Sequence, residues 1–357
     1  MSTTVLNECS KRGHEQVSFF HYPDVGLKAI ISIHDTTLGP AVGGCRMRIY
    51  QSEEQALDDV MRLSEGMTYK SSLAGLNLGG GKACLMADPR MVEGREALFK
   101  KFGECINFLS GRYVTAEDMG TNVTDMMFAR SKTNHVVGID PNKGGGGDPS
   151  PWTAKGVFAA VRAATERVFG SSDLTDRRVA LQGVGHVGMY LLHALREAGA
   201  HVSVCDTHDS AVREAAKKYG ATVVTPDAIF DVPCDIYAPC AVGQTVNAQT
   251  LQRLNCKIIA GAANNQLSDS SVYAMIQKRN ILYCPDFAIN SGGIICVAGE
   301  LAPEGWKESW VKEKVERIHE TTSRILDESK ASGTFTEEVA IALARERIAA
   351  AKAKKEQ

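Results

Sequence analysis

Long apolar runs are missing from this chain of 357 residues. No stretch approaches the roughly 20 apolar residues that a helix needs to cross a bilayer. The opening MSTTVLNECSKRGHEQ has no apolar core of the kind that directs export, so a soluble protein without an export signal is expected. A surplus of charge is missing too. Forty Lys plus Arg face 42 Asp plus Glu, for a net charge of −2, and neither nucleic acid nor a membrane is an expected partner. None of the ten cysteines belongs to a C-x-x-C pair, and no histidine stands at zinc-finger spacing. Cys205 in VSVCD and Cys296 in GGIICVAG lie inside apolar runs. Reduced, core-filling thiols of a cytoplasmic protein are expected, and no metal site. Internal repeats and low-complexity tracts are also lacking.

What remains is an ordinary folded chain, 44% hydrophobic and 23% charged. At roughly 150 residues per domain its length suits about two domains. Residues 17–35 read as two strands around a turn at Pro23–Gly26, and residues 53–69 as a helix with Ser52 and Gln55 as a capping box. Then comes the glycine-rich AGLNLGGGKACLMADP, read as a loop ahead of a short strand at 83–87, and a helix near 94–110. NKGGGGDPSP, residues 142–151, is the clearest break and reads as a linker or hinge. A helix from about Thr153 to Phe169 follows, and then apolar strands alternate with helices, as in a parallel wound sheet. The tail from Lys312 is helical in pattern, broken only at Ser332–Gly333.

Residues 183–188, GVGHVG, fit G-x-G-x-x-G. They follow the strand RVALQ and open a helix, and the next strand, AHVSVC, ends in Asp206. Strand, glycines, helix, strand and acid together form a dinucleotide fingerprint. Gly183 allows the tight turn, Gly185 the approach of a pyrophosphate, and Gly188 close packing of helix on strand. Val184, His186 and Val187 fill the turn, and its free N–H groups suit phosphate. Asp206 can accept from ribose hydroxyls and would repel a 2′-phosphate, which favours NAD over NADP.

A nucleotide site supplies no chemistry alone. Lys70 in GMTYKSS and Lys82 after Gly79–Gly81 are candidate bases, since a desolvated lysine beside other cations gives up its proton more easily. Solvated surface lysines are the competing reading. Asp118 in TAEDMGTN, beside Glu117 and Asn122, could move a proton or cap a turn. Arg46 could hold a phosphate or sit on a surface loop. Asn264–Asn265 follow the apolar KIIAGAA, at the strand end where α/β sheets bind ligands.

HDTTLGPAVGGCR, GMTYK, LNLGGGK, GRYVTAEDMGTN, QGVGHVG, APCAVG, AGAANNQL and YCPDFAINSGG stand in this order. Together they resemble the leucine/phenylalanine/valine dehydrogenases, relatives of glutamate dehydrogenase, from about Gly13 to the C-terminal helix. The resemblance implies an α/β fold of two domains with a cleft between them. One is a substrate and oligomerisation domain, 1–145 joined by the C-terminal helix 331–357. The other is a Rossmann NAD-binding domain, 146–330. It makes Lys82 and Asp118 catalytic and gives the substrate carboxylate to Lys70. Gly43, Gly44, Val42, Ala116, Ile294, Val297 and Asn264 would complete the substrate site, with Asn265 the alternative to Asn264. Arg46, Ser150, Thr153, Thr207, Cys240, Ala241, Val242, Ala263, Asn265 and Asn290 would line the cofactor. The implied reaction takes an L-amino acid, NAD⁺ and water to a 2-oxo acid, ammonia and NADH, in a homo-oligomer.

The region around Leu38, Ala41, Val42, Ile294 and Val297 is apolar, so an apolar substrate is expected rather than glutamate. Ala116 points to leucine and other branched chains, whereas GGCRM and EDMGTN resemble the phenylalanine enzymes. Two other readings stay open, a Rossmann protein that senses NAD without turnover and a hydroxy-acid dehydrogenase.

Overall fold

Alternating residues after Glu15 build a hairpin: β1 (Gln16–Tyr22) and β2 (Leu27–Asp35) turn through a 3₁₀ segment at Pro23–Val25 and a left-handed Gly26. They join β3 (Ala41–Arg48), β4 (Gly79–Met86) and β5 (Tyr113–Glu117) in a sheet of order β1-β2-β4-β3-β5. β1, β2 and β4 pair antiparallel, whereas β3 pairs parallel with both β4 and β5. The computed structural model describes residues 4–356 and divides into two units. The first takes the chain up to Asp148, together with Cys296–Lys307 and the residues from Ala344 on.

Each face of this sheet has its own cover. Phe99 and Phe102 of the helix Arg95–Asn107 pack with Ile31, Ile33, Leu85 and Tyr113 on one side. The long helix Glu53–Leu73 covers the other, where Ala56, Val60 and Met61 meet Ile30 and Cys84. Ser52 caps that helix by accepting from the Gln55 amide, while the Gln55 side chain accepts from the Gln51 amide. Glu53 and Glu54 in the first turn suit the helix dipole.

The triple glycine is a strand and not a loop, which corrects the sequence reading. A Cβ at Gly80 would lie 2.1 Å from the Thr68 nitrogen of the covering helix, and one at Gly81 2.7 Å from the Tyr113 ring. The missing side chains let β4 run flush between a helix and an aromatic core, and they make no room for a ligand.

The second unit, Pro149–Ile295 with Glu308–Leu343, holds six parallel strands. They are β6 (Arg178–Gln182), β7 (His201–Cys205), β8 (Thr222–Val223), β9 (Ile236–Pro239), β10 (Ile258–Ile259) and β11 (Leu282–Tyr283). Their order, β11-β10-β9-β6-β7-β8, is the doubly wound dinucleotide topology, with β6 at the point where strand order reverses. All ten cysteines are free thiols, and all but Cys9 and Cys240 are buried.

Two boundaries differ from the sequence reading. The helix Ser150–Phe169 starts inside the stretch read as linker, with Pro151 in its first turn, where a missing N–H costs nothing. Nor is the glycine run free chain, because the Gly146 amide donates to Glu300 at 2.9 Å. The first unit also takes less of the C-terminal helix than 331–357. Phe335 stacks on Tyr273 and Tyr283 of the second unit, and only from Ala344 onward do contacts turn to Ser72, Tyr69 and Leu76 of the first. Among the described residues, no helix is long and apolar enough to cross a membrane.

The packing of β4 yields a direct test. Gly80→Ala forces a methyl group against a helix backbone, and it should lower unfolding stability by about 3 kcal/mol or more, the upper range for overpacking. Urea unfolding measures it. A wild-type midpoint would show that helix and strand can separate without cost.

Candidate active site

β4 carries Lys82 and Cys84 on the sheet face covered by Glu53–Leu73, and Arg46 on β3 pairs in register with Cys84. Lys82 is only 6% exposed. Its Nζ lies 2.9 Å from Asp118 Oδ2, just past the end of β5. The lysine expected among cations is instead salt-bridged to a carboxylate. Arg46 Nε donates to the same Oδ2 at 3.0 Å, so one oxygen accepts from two cations. The Asp118 amide donates to Thr121 Oγ1, whose hydroxyl also reaches Cys45 O. Burial alone would raise the Asp118 carboxyl, but Lys82 and then Arg46 outweigh it and hold it at about 2. Asp118 is therefore a carboxylate throughout the neutral range, aimed at an ammonium.

Arg46, expected at the cofactor, has two nitrogens on carboxylates, since Nη1 donates to Asp59 Oδ2 at 3.1 Å. Tyr50 Oη donates to that oxygen at 2.9 Å and lies 2.9 Å from Cys84 Sγ. Sequence reading missed Asp59 and Tyr50. The available signal was an acid in LDDVMRL beside the buried Ala56 and Val60. Lys70 stands half-buried in the last turn of the same helix.

Asn122, noted from the sequence only as a polar neighbour of Asp118, is a helix cap. It accepts from the Asp125 amide, and Asp125 returns the bond in a capping box for Val123–Arg130. Arg95 grips both oxygens of Asp125 and donates to Gly120 O, which fastens the turn that follows Asp118.

The apolar residues separate from this charged group. Val42 is fully buried and pairs with Gly80, while Gly44 pairs with Ala116. A Cβ built at Gly138 would stand 4.0 Å from both Ala116 Cβ and Val297 Cγ1, so these three form one small-residue wall. Gly138 was not singled out from the sequence. Gly43 is closed to a side chain by Gly81 O, 1.7 Å from its would-be Cβ. Ile294 belongs to the second unit and is nearly buried.

In that unit, Gly183 follows β6 with φ +93°, a backbone that favours glycine, and its Cβ would meet Ala241 at 2.7 Å. Gly188 brings its helix within 2.0 Å, from its would-be Cβ, of Gly183 O. Gly185, N-cap of the helix His186–Glu197, has nothing within 4 Å of where a Cβ would lie. An open cradle thus faces a helix N-terminus, which suits a pyrophosphate. Val184, His186 and Val187 continue the turn. Asp206 directly follows the neighbouring strand β7, accepting from Val184 N at 2.9 Å and from His208 N at 3.0 Å, with Thr207 between. Burial would raise this carboxyl too, but the two amides and His208 bring it below its ordinary value.

Asn290 Nδ2 donates to Asn264 Oδ1 at 2.8 Å and to Ala262 O at 3.1 Å, while its own Oδ1 is buried without a protein partner. Asn265 is left-handed, φ +52°, and its carbonyl accepts from Gln244 N. That bond ties the Ala263–Asn265 turn to the Cys240–Val242 turn. Gln266 holds the first turn from behind through Gly261 O and Ala263 O, and its amide donates to Asp286. Sequence reading missed this support. Ser150 and Thr153 lie in the first turn of Ser150–Phe169, where Thr153 Oγ1 donates to Pro149 O.

A family model described as Glu/Leu/Phe/Val dehydrogenase, dimerisation domain, matches residues 14–135. A second, Glutamate/Leucine/Phenylalanine/Valine dehydrogenase, matches residues 206–356. The chain is 46% identical over 352 residues to a leucine dehydrogenase of Bacillus cereus, covering 99% of this chain and 95% of the relative. It is 42% identical over 353 residues to a phenylalanine dehydrogenase of Caldalkalibacillus thermarum, covering 98% and 94%. The crystal structure of L-tryptophan dehydrogenase from Nostoc punctiforme superposes with a TM-score of 0.85 at 38% identity, covering 98% of this chain and 99% of that one.

The Asp118 arrangement has a measurable consequence in acid. Its folded value of about 2 lies below the roughly 3.9 of an unfolded aspartate. Its stabilisation is therefore complete above about pH 4 and is lost as pH falls toward 2. The stability gap between wild type and Asp118→Asn should close by about 1 kcal/mol at pH 3 and by about 2–3 kcal/mol at pH 2. Urea unfolding between pH 2 and 6 follows the trend. A gap that stays constant means the carboxylate is not held by its cations.

Proposed function

The chain belongs to the Glu/Leu/Phe/Val dehydrogenase family, and on that premise we propose that it is an NAD-dependent L-amino-acid dehydrogenase. It converts L-leucine and related branched substrates reversibly to 2-oxo acids and ammonia. The observation that carries the chemistry is the buried Lys82 Nζ lying 2.9 Å from the part-buried Asp118 Oδ2. A sensor of NAD has no use for an ammonium held against a carboxylate away from water.

Each residue then has a task. Lys70 binds the substrate carboxylate and so orients Cα, an effect that can be worth several powers of ten. The open Gly183–Gly188 turn and Asp206 would hold NAD⁺, which when bound would supply the acceptor for the hydride from Cα. Lys82 takes a proton from the water that attacks the resulting iminium carbon. Asp118, ionised at working pH, accepts and returns protons as ammonia departs. Asn264, oriented by Asn290, holds the substrate amino group. The wall of Ala116, Gly138 and Val297 accepts a branched aliphatic side chain. Phenylalanine is the second candidate, because the phenylalanine relative is only slightly more distant. We read the protein as a homo-oligomer, built through the unit that matches the dimerisation model, and as cytoplasmic, where its unpaired thiols stay reduced.

Three measurements test this reading. NADH formation at alkaline pH, with NAD⁺ and a panel of L-amino acids, should be fastest with leucine. Absence of turnover with every one would restore the sensor. Lys82→Ala should lower kcat by about 10² to 10⁴, the usual worth of general acid–base catalysis, and leave NAD binding intact. Lys70→Ala should instead raise KM for the amino acid, since a carboxylate anchor acts in the ground state as well. A Lys82→Ala enzyme with normal kcat would move the base to another residue.

A further inference from the structure

The reaction as proposed uses Lys82 and Asp118, but Asp118 does not stand alone. Its Oδ2 also accepts from Arg46 Nε at 3.0 Å, and what fixes that arginine decides where the carboxylate points. A guanidinium is planar and rigid, so holding one nitrogen sets the direction of the others. Arg46 Nη1 is held by Asp59, 3.1 Å from Oδ2. Asp59 in turn is held by Tyr50 Oη at 2.9 Å and Arg62 Nη2 at 2.8 Å. Tyr50 lies 2.9 Å from Cys84 Sγ, two residues along β4 from Lys82. The chain of contacts therefore leaves the sheet at Lys82 and returns to the same strand at Cys84.

We infer that Asp59 is a positioning residue for the reaction: through Arg46 it holds the Asp118 carboxylate against Lys82, with Tyr50 as its own fastening. The inference rests on the roles of Lys82 and Asp118 proposed above. Charges alternate along the row: Lys82 positive, Asp118 negative, Arg46 positive, Asp59 negative, Arg62 positive. Side chains of Arg46 and Asp59 are each 12% exposed, where screening by water is weak. Without Asp59, Arg46 keeps a single carboxylate partner and is free to turn both donors onto it, displacing Lys82. The row also loses a negative charge, which alters the field at the reacting pair.

Asp59→Asn should lower kcat for L-leucine about 10- to 100-fold, the range for a small displacement of a reacting group. KM for leucine should change by less than about threefold and NAD affinity should hold, as neither ligand touches Asp59. The rising alkaline limb of the kcat profile should move to lower pH, a shift that a general loss of folded protein does not produce. Asp59→Glu should restore most of kcat and the profile. If Asp59→Asn does not fold, Tyr50→Phe decides. It leaves every formal charge in place and should lower kcat about fivefold, the worth of one hydrogen bond. Wild-type kcat and pH profile in the Asn variant, or wild-type kcat in Tyr50→Phe, overturn the inference while leucine turnover by the wild type stands. A wild type inactive on every amino acid removes the functional reading and this inference with it.

Discussion

An ammonium withdrawn from water governs the first unit. Lys82 is almost wholly buried, and an unpaired charge in that position costs far more than a domain can spare. Asp118 answers it at 2.9 Å, but a carboxylate that accepts from both Lys82 and Arg46 leaves a net positive charge behind. Asp59 balances that charge, and Arg62 reaches back to Asp59 from the helix surface. Four separate pieces of chain are thereby joined: β3, β4, the helix Glu53–Leu73 and the turn after β5. Turning one cation inward thus commits the geometry of the whole unit.

The glycines of β4 belong to the same constraint. A helix can bring Asp59 to Arg46 only by lying close on the sheet, and a close approach needs a strand without side chains where the two meet. Gly80 meets the backbone of Thr68 there. The neighbouring glycine, Gly81, turns to the opposite face and accommodates Tyr113. Tyr113 donates to Gly43 O and so ties β5 to β3. Three glycines in a row usually signal flexible chain, but here they lie in a strand buried from Gly79 to Leu85.

That contrast marks how much was legible in the sequence. Hydrophobic period revealed the hairpin at 17–35, the helix from residue 53 and the alternation that winds the parallel sheet, because burial on one face imposes those periods. The nucleotide turn was legible because its glycines, helix start and acid lie at fixed spacing along the chain. Lys82 and Asp118 were candidates by residue type, and only the family resemblance joined them, since 36 residues separate them along the chain. Asp59, Tyr50, Gly138 and Gln266 went unseen. Their roles depend on register between strands and on which helix face meets the sheet, and local spacing does not encode either. The glycine run was misread for the same reason, as nothing beside it in sequence reveals what crosses it in space.

The proposed site also suits a family whose members are named for side chains as different as those of leucine, phenylalanine and tryptophan. The charged row occupies the helix-covered face of β3 and β4, while Ala116, Gly138 and Val297 form an apolar wall. With the wall in its proposed role, a methylene gained or lost there would shift selectivity by only about 1–3 kcal/mol and leave every charge in place. Changing the row would expose or strand a buried ion, at several kcal/mol. Mutation can therefore wander across the wall at small energetic cost and is confined at the row. A phenylalanine relative at 42% identity and a tryptophan relative whose fold superposes at a TM-score of 0.85 are what that asymmetry leads one to expect.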